Sequence, residues 1–180
     1  MKSSCNNSTS TKLNDCSSPK LSYRETEESI TISGQDTNIV FDKTSGVFTE
    51  YRTNAYNYLT GGTDTFTRAA TGIDEGCHDN NNYYYDWKTA GLDNLCKTLN
   101  DVTVSATDHE VLINVKASLA PVFPKTKPLF FTETLYRITY NQLTISNQVI
   151  NCCDMDTLGR IGLSFRLDSS FNNYTNHTSL

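Results

Sequence analysis

Apolar and polar side chains alternate with a period of two along much of this chain, and that period belongs to strands with one buried face. Ser29-Ile-Thr-Ile-Ser33 alternates, Gly34-Gln35-Asp36 breaks the pattern, and Asn38-Ile-Val-Phe41 resumes it, which predicts a β-hairpin. A second turn cluster at Asp42 to Gly46 leads into Val47-Phe-Thr-Glu-Tyr51, a third strand of the same meander. From Asn54 to Gly76 the sequence becomes Gly- and Thr-rich and predicts loop. The Asn80 to Leu95 stretch, with Tyr83-Tyr84-Tyr85 and Trp87, predicts more loop and a short helix ending near Gly91.

The second half carries a stronger period. Val102 to Ala106 alternates, and Val111, Ile113, Val115, Ala117 and Leu119 share one face of a longer strand. Pro121, Pro124 and Pro128 then predict a connecting loop, because proline has no amide hydrogen to give a ladder. Phe130 to Tyr140, the strand bearing Leu143, Ile145 and Val149, and the Ile161/Leu163/Phe165/Leu167 strand complete the set. Long antiparallel strands, each with one apolar face, predict an all-β, antiparallel β-sandwich. The expected organisation is a disordered polar leader over 1–24, one sandwich domain over 25–171 and a polar tail over 172–180.

Composition narrows the function classes. At 180 residues the chain is one domain, too short for a (β/α)₈ barrel of ~250 residues. The net charge of −5 is dispersed and no basic block exists, so no nucleic-acid partner is expected. No run nears the ~20 apolar residues of a membrane span, and Met1 to Lys20 holds no signal-peptide core, so no membrane partner and a cytoplasmic location are expected, an extracellular one being the alternative. The six cysteines lack C-x-x-C spacing, Cys152 and Cys153 are expected on opposite strand faces, and reduced thiols follow. Cysteines and histidines nowhere form a zinc-type cluster, so neither a metal nor another cofactor is expected.

One segment carries more specific information. Phe66-Thr-Arg-Ala-Ala-Thr-Gly-Ile-Asp-Glu-Gly76 resembles the F-W-R-A-P-x-D-N-D-x-G motif of the C-terminal domain, or small chain, of family-two β-galactosidases. Phe41 to Phe48 is similar to that family's F-D-x-x-x-G-x-(L/I) hairpin, and Trp87 to Asp93 to its W-x-x-A-G-L-D segment. Leu158 to Phe165 resembles its L-P-R-(I/F)-G-L-x-F strand. The four matches fall in the family's order. Thr67, Ala70, Gly72, Ile73 and Gly159 depart from it, leaving Arg68, Asp74 and Gly76 among the functional positions. The W-x-G-x-G-P-x-E-x-Y run that the family places next is not found after Phe171, so the resemblance covers about half of that domain and none of the barrel.

The resemblance implies part of a galactose-mutarotase-like supersandwich, a catalytic barrel domain or large chain as partner, and a galactoside as the ligand of the assembled site. It also implies that Arg68, Asp74 and Gly76 form a substrate-site loop that shapes or gates the pocket. No catalytic residue is expected in this chain. A retaining glycosidase needs two carboxyls ~5–5.5 Å apart across the bond, and adjacent loop residues such as Asp74 and Glu75 usually diverge. Asp74 is instead expected to accept backbone or Arg68 hydrogen bonds. Trp87 and Tyr85 are candidates for sugar or interdomain contact, core burial being the alternative for the aromatic cluster. Two other readings remain at this level: a stand-alone carbohydrate-binding sandwich, and an inactive truncated fragment.

Overall fold

A computed structural model describes residues 19–76, 82–125, 127–169 and 171. Ten strands form two antiparallel sheets: β1 (Ser22–Glu25), β2 (Ser29–Ser33), β3 (Thr37–Asp42), β4 (Val47–Thr53), β5 (Tyr56–Thr65), β6 (Leu95–Ala106), β7 (Glu110–Pro121), β8 (Phe130–Thr139), β9 (Gln142–Asn151) and β10 (Gly162–Leu167). The first sheet runs β1-β2-β3-β4-β5-β10 and the second β6-β7-β8-β9. Helix α1 (Tyr83–Thr89) and a 3-10 turn at Leu92–Asn94 stand between them in sequence.

Alternation gives each sheet an apolar face, and the two faces meet. Ile30, Ile32, Ile39, Phe41 and Phe48 of the first sheet pack with Val111, Ile113, Val115, Tyr136 and Ile138 of the second. Burying each large side chain stabilises the fold by ~1.5–3 kcal/mol, which makes this cluster the main source of stability. Tight turns hold the register. Gly34 N–H donates to Thr37 O at 2.9 Å, and the Asp42 carboxylate accepts from Thr44 N at 2.8 Å and Ser45 Oγ at 2.5 Å. The sandwich, the β2–β3 hairpin, the proline-rich connection and the helix before Gly91 follow the alternation and turn chemistry.

Four expectations need correction. The supposed loop from Asn54 contains β5, ten residues long, reached through Asn54 in a left-handed conformation at φ 53°. Leu59 is its sole aliphatic residue, so β5 has no apolar period to betray it, and pairing with β4 and β10 supplies its order. The polar leader was drawn too long, because Leu21 is buried and β1 pairs with β2 from Ser22. β1 is exposed at all four positions, an edge strand held through its backbone. Cys152 and Cys153 follow β9 instead of lying on its two faces. Finally, β10 forms as expected, but at the edge of the wider sheet its row of Phe165 (39% exposed) and Leu167 (53%) stays open. The expected tail and most of the leader lie outside the described residues.

Among the described residues no helix is long and apolar enough to cross a membrane. Cys96, Cys152 and Cys153 are free thiols.

Candidate functional site

A second apolar cluster sits beside the inter-sheet core. Phe66 just past β5, Trp87 of α1, Leu92 of the 3-10 turn, Leu119 of β7 and Phe130 of β8 form it, with the Phe66 and Phe130 rings stacked at 3.8 Å. Leu158, Met155 and Cys153 from the stretch after β9 pack against it. This cluster fixes both ends of the Phe66 to Gly76 segment, because Tyr84 N–H at the start of α1 donates to Asp74 O at 3.0 Å. Asn82 caps α1 by accepting from Tyr85 N at 2.9 Å.

Arg68 and Asp74 close the loop on itself. The guanidinium donates from Nη1 and Nη2 to the two carboxylate oxygens at 2.7 and 2.8 Å, a bidentate pair. Thr71 donates to the same carboxylate from its amide at 2.8 Å and its hydroxyl at 2.7 Å. The Thr71 amide and hydroxyl, and then Arg68, hold the Asp74 carboxyl below its usual value of 3.8. Asp74 is therefore an ionised carboxylate, with three of its donors on Oδ2 and Arg68 Nη2 on Oδ1. Glu75 beside it is exposed.

Trp87 couples this loop to the cluster. Arg68 Cζ lies 5.5 Å from the indole centroid, and indole Nε1–H donates to Thr157 O at 3.2 Å. Gly159 lies so close that a Cβ there would be 2.9 Å from ring atom Cζ3. Its departure from the family's proline thus has a steric setting: the indole occupies the space a side chain would fill. Gly76 has φ 88°, where glycine is favoured, and its amide donates to Ile73 O at 3.1 Å.

Arg68, Asp74 and Trp87 are thus brought together, with Gly76 closing the same loop. Of the readings open for Trp87, core burial is the one that describes its ring, which is 3% exposed and packed among Arg68, Gly159 and Thr157. Tyr85, at 66%, stands in solvent and keeps a contact role open. Thr71 and Thr157 are site residues that the sequence analysis does not single out. Thr71-Gly-Ile-Asp74 has the [ST]-x-x-[DE] spacing of reciprocal side chain-to-backbone bonding and was detectable; Thr157 carried no signal. His78 and Cys77 lie outside the described residues. Among the described residues no group of three His, Cys, Asp or Glu is placed to hold a metal.

No curated protein matches the chain. The family described as beta galactosidase small chain matches it over residues 33–176, from the end of β2 past β10. That span takes in the β3–β4 hairpin, the braced loop, α1 and β10 in one colinear match. It covers well over half of the sequence, and the chain belongs to the beta-galactosidase small-chain family.

Proposed function

We propose that this chain is the accessory sandwich of a β-galactosidase, completing a galactoside pocket whose bond-breaking carboxylates come from a catalytic barrel domain or large chain. The observation that carries this reading is the state of Asp74, whose carboxylate is consumed by four donors inside its own loop. Such a group stiffens a surface; it does not act on a substrate. Arg68, Asp74 and Gly76 then serve to hold the rim of the pocket in shape, and Ile73 (59% exposed) is the apolar tip the loop presents outward. The free thiols Cys96, Cys152 and Cys153 suit a reducing, cytoplasmic setting.

The test is hydrolysis of a chromogenic galactoside by the purified chain, alone and with a catalytic large chain of the same family. No turnover is expected from the chain alone, and turnover on mixing. Hydrolysis by the chain alone, rising in proportion to its concentration, would overturn the reading.

A second reading, a carbohydrate-binding sandwich acting alone, draws on the solvent face of the four-stranded sheet. A groove of about 520 Å³ there is lined by Asn114, Glu133, Leu135, Ser146 and Gln148, amides and hydroxyls beside an apolar strip. Calorimetric titration with galactose and lactose separates the two readings, since heats equal to those of buffer end the second.

A further inference from the structure

The wider sheet splits partway along its length. β4 pairs with β5 only from Tyr51↔Leu59 to Thr53↔Tyr56, while Gly62 to Thr65 of β5 pair with β10 instead. The start of β4 and the far half of β5 thus diverge, and the gap between them is a cleft of about 660 Å³. Thr60, Gly61, Lys97, Ser164 and Arg166 are among the residues that line it. At Gly61, φ is 145° and a Cβ would meet nothing within 4 Å, so the backbone there is open to a ligand.

The cleft holds an excess of hydrogen-bond donors. Lys97 reaches in from β6 of the other sheet, its Nζ 2.9 Å from Asp64 Oδ2, with the Asp64 side chain 1% exposed. The angles of that contact fall short of a hydrogen bond, so Oδ2 is paired in charge yet takes no aligned donor. An ammonium carries three N–H groups, and the ion pair with Asp64 engages at most one of them. Among the described residues Arg166 has no ion pair or hydrogen bond, and neither the Thr60 nor the Ser164 hydroxyl is bonded. Among the described residues no Asp or Glu lines the cleft. In a chain of net charge −5, two cations with unfilled donors around an open glycine backbone form a local exception.

We propose that this cleft binds the oxyanion group of a small molecule, a carboxylate or a phosphate. Buried Asp64 holds the Lys97 ammonium in place, which reduces the ordering cost on binding. Arg166 supplies a planar fork matched to two oxygens of the anion. The site is independent of the braced loop and of any galactoside, so it stands or falls apart from the proposed function.

The experiment is an amide chemical-shift titration of the full chain with inorganic phosphate and, separately, acetate, each against chloride at equal ionic strength. Saturating shifts confined to Gly61, Gly62 and Ser164 are expected with at least one of the two oxyanions, and which one responds names the group. Arg166 is exposed and unpaired, so R166Q should keep the melting temperature while weakening binding at least tenfold. Shifts no larger than those with chloride, or a binding curve unchanged in R166Q, would overturn the proposal.

Discussion

The inter-sheet core and the cluster under the Arg68–Asp74 loop are both buried and aromatic, yet they are built on different principles. Every strand member of the core comes from an alternating strand, and Ile30, Ile32, Ile39, Phe41, Val111, Ile113 and Ile138 are fully buried. Phe41, Phe48 and Tyr136 meet within 5.7 Å of one another, so contacts are many and shared. Burial first, and the Asp64 charge second, push the Tyr136 phenol up to about 12, as expected of a deep interior. The loop-side cluster draws single residues from a strand end, a helix, a 3-10 turn and the stretch after β9. It is tied by individual bonds such as Trp87 Nε1 to Thr157 O and Asn94 Nδ2 to Phe123 O. A core of shared contacts fails as a whole, whereas a region tied by single contacts fails locally, which suits a surface that must hold one shape against a partner.

The largest effect should come from the core. Phe41→Ala removes a fully buried ring touching Phe48 and Tyr136 and should cost ~3–5 kcal/mol in urea denaturation. The chain has a single tryptophan, so Trp87 fluorescence reports the loop-side cluster alone while far-UV dichroism reports the sheets. Leu119 and Phe130 tie the cluster to β7 and β8, so both signals should fall with one midpoint in F41A. Separated midpoints would show the two regions to be distinct folding units.

Gly91→Ala probes the other region with the next largest effect. A Cβ there would lie 2.7 Å from both Phe123 O and Pro121 Cβ, at φ 77°. Left-handed strain and overpacking together should cost about 3 kcal/mol. Loss of the near-UV signal of Trp87 should precede loss of the sheets. A cost under about 1 kcal/mol would mean the turn relaxes freely and that the region is not held by single contacts.

How far the sequence was legible follows the same division. The core could be read because Ile30/Ile32 and Val111 to Leu119 repeat every second residue, and repetition is what a sequence displays directly. β5 could not, since its order lies in backbone pairing with β10, about a hundred residues away, and in the Asp64–Lys97 pair, neither of which leaves a local period. The Arg68–Asp74 brace was legible from proximity and from the resemblance. The burial of Trp87 was not decided, because Gly159 and Thr157, which enclose it, are some seventy residues distant. The cleft between β4 and β5 depends on where a ladder stops, and no residue type marks that point.

Asp74→Asn gives the smallest and most local effect. Among the described residues the carboxylate accepts from Thr71 and Arg68, within its own loop, so the neutral amide should lower the urea midpoint, but by less than Gly91→Ala does. Its NH₂ group cannot accept from the donors aimed at it, and the Thr71 amide should exchange faster with solvent. The pH dependence has a definite sign. The folded carboxyl titrates below its ordinary 3.8, so its contribution is present above 3.8 and is lost only as pH falls through the lower folded value. The Thr71 amide shift should therefore titrate with a midpoint below 3.8 in the native chain, and that step should vanish in D74N. A midpoint at or above 3.8 would mean that the donors around Asp74 do not favour its charged form, and the loop would lose its claim to be a separately braced unit.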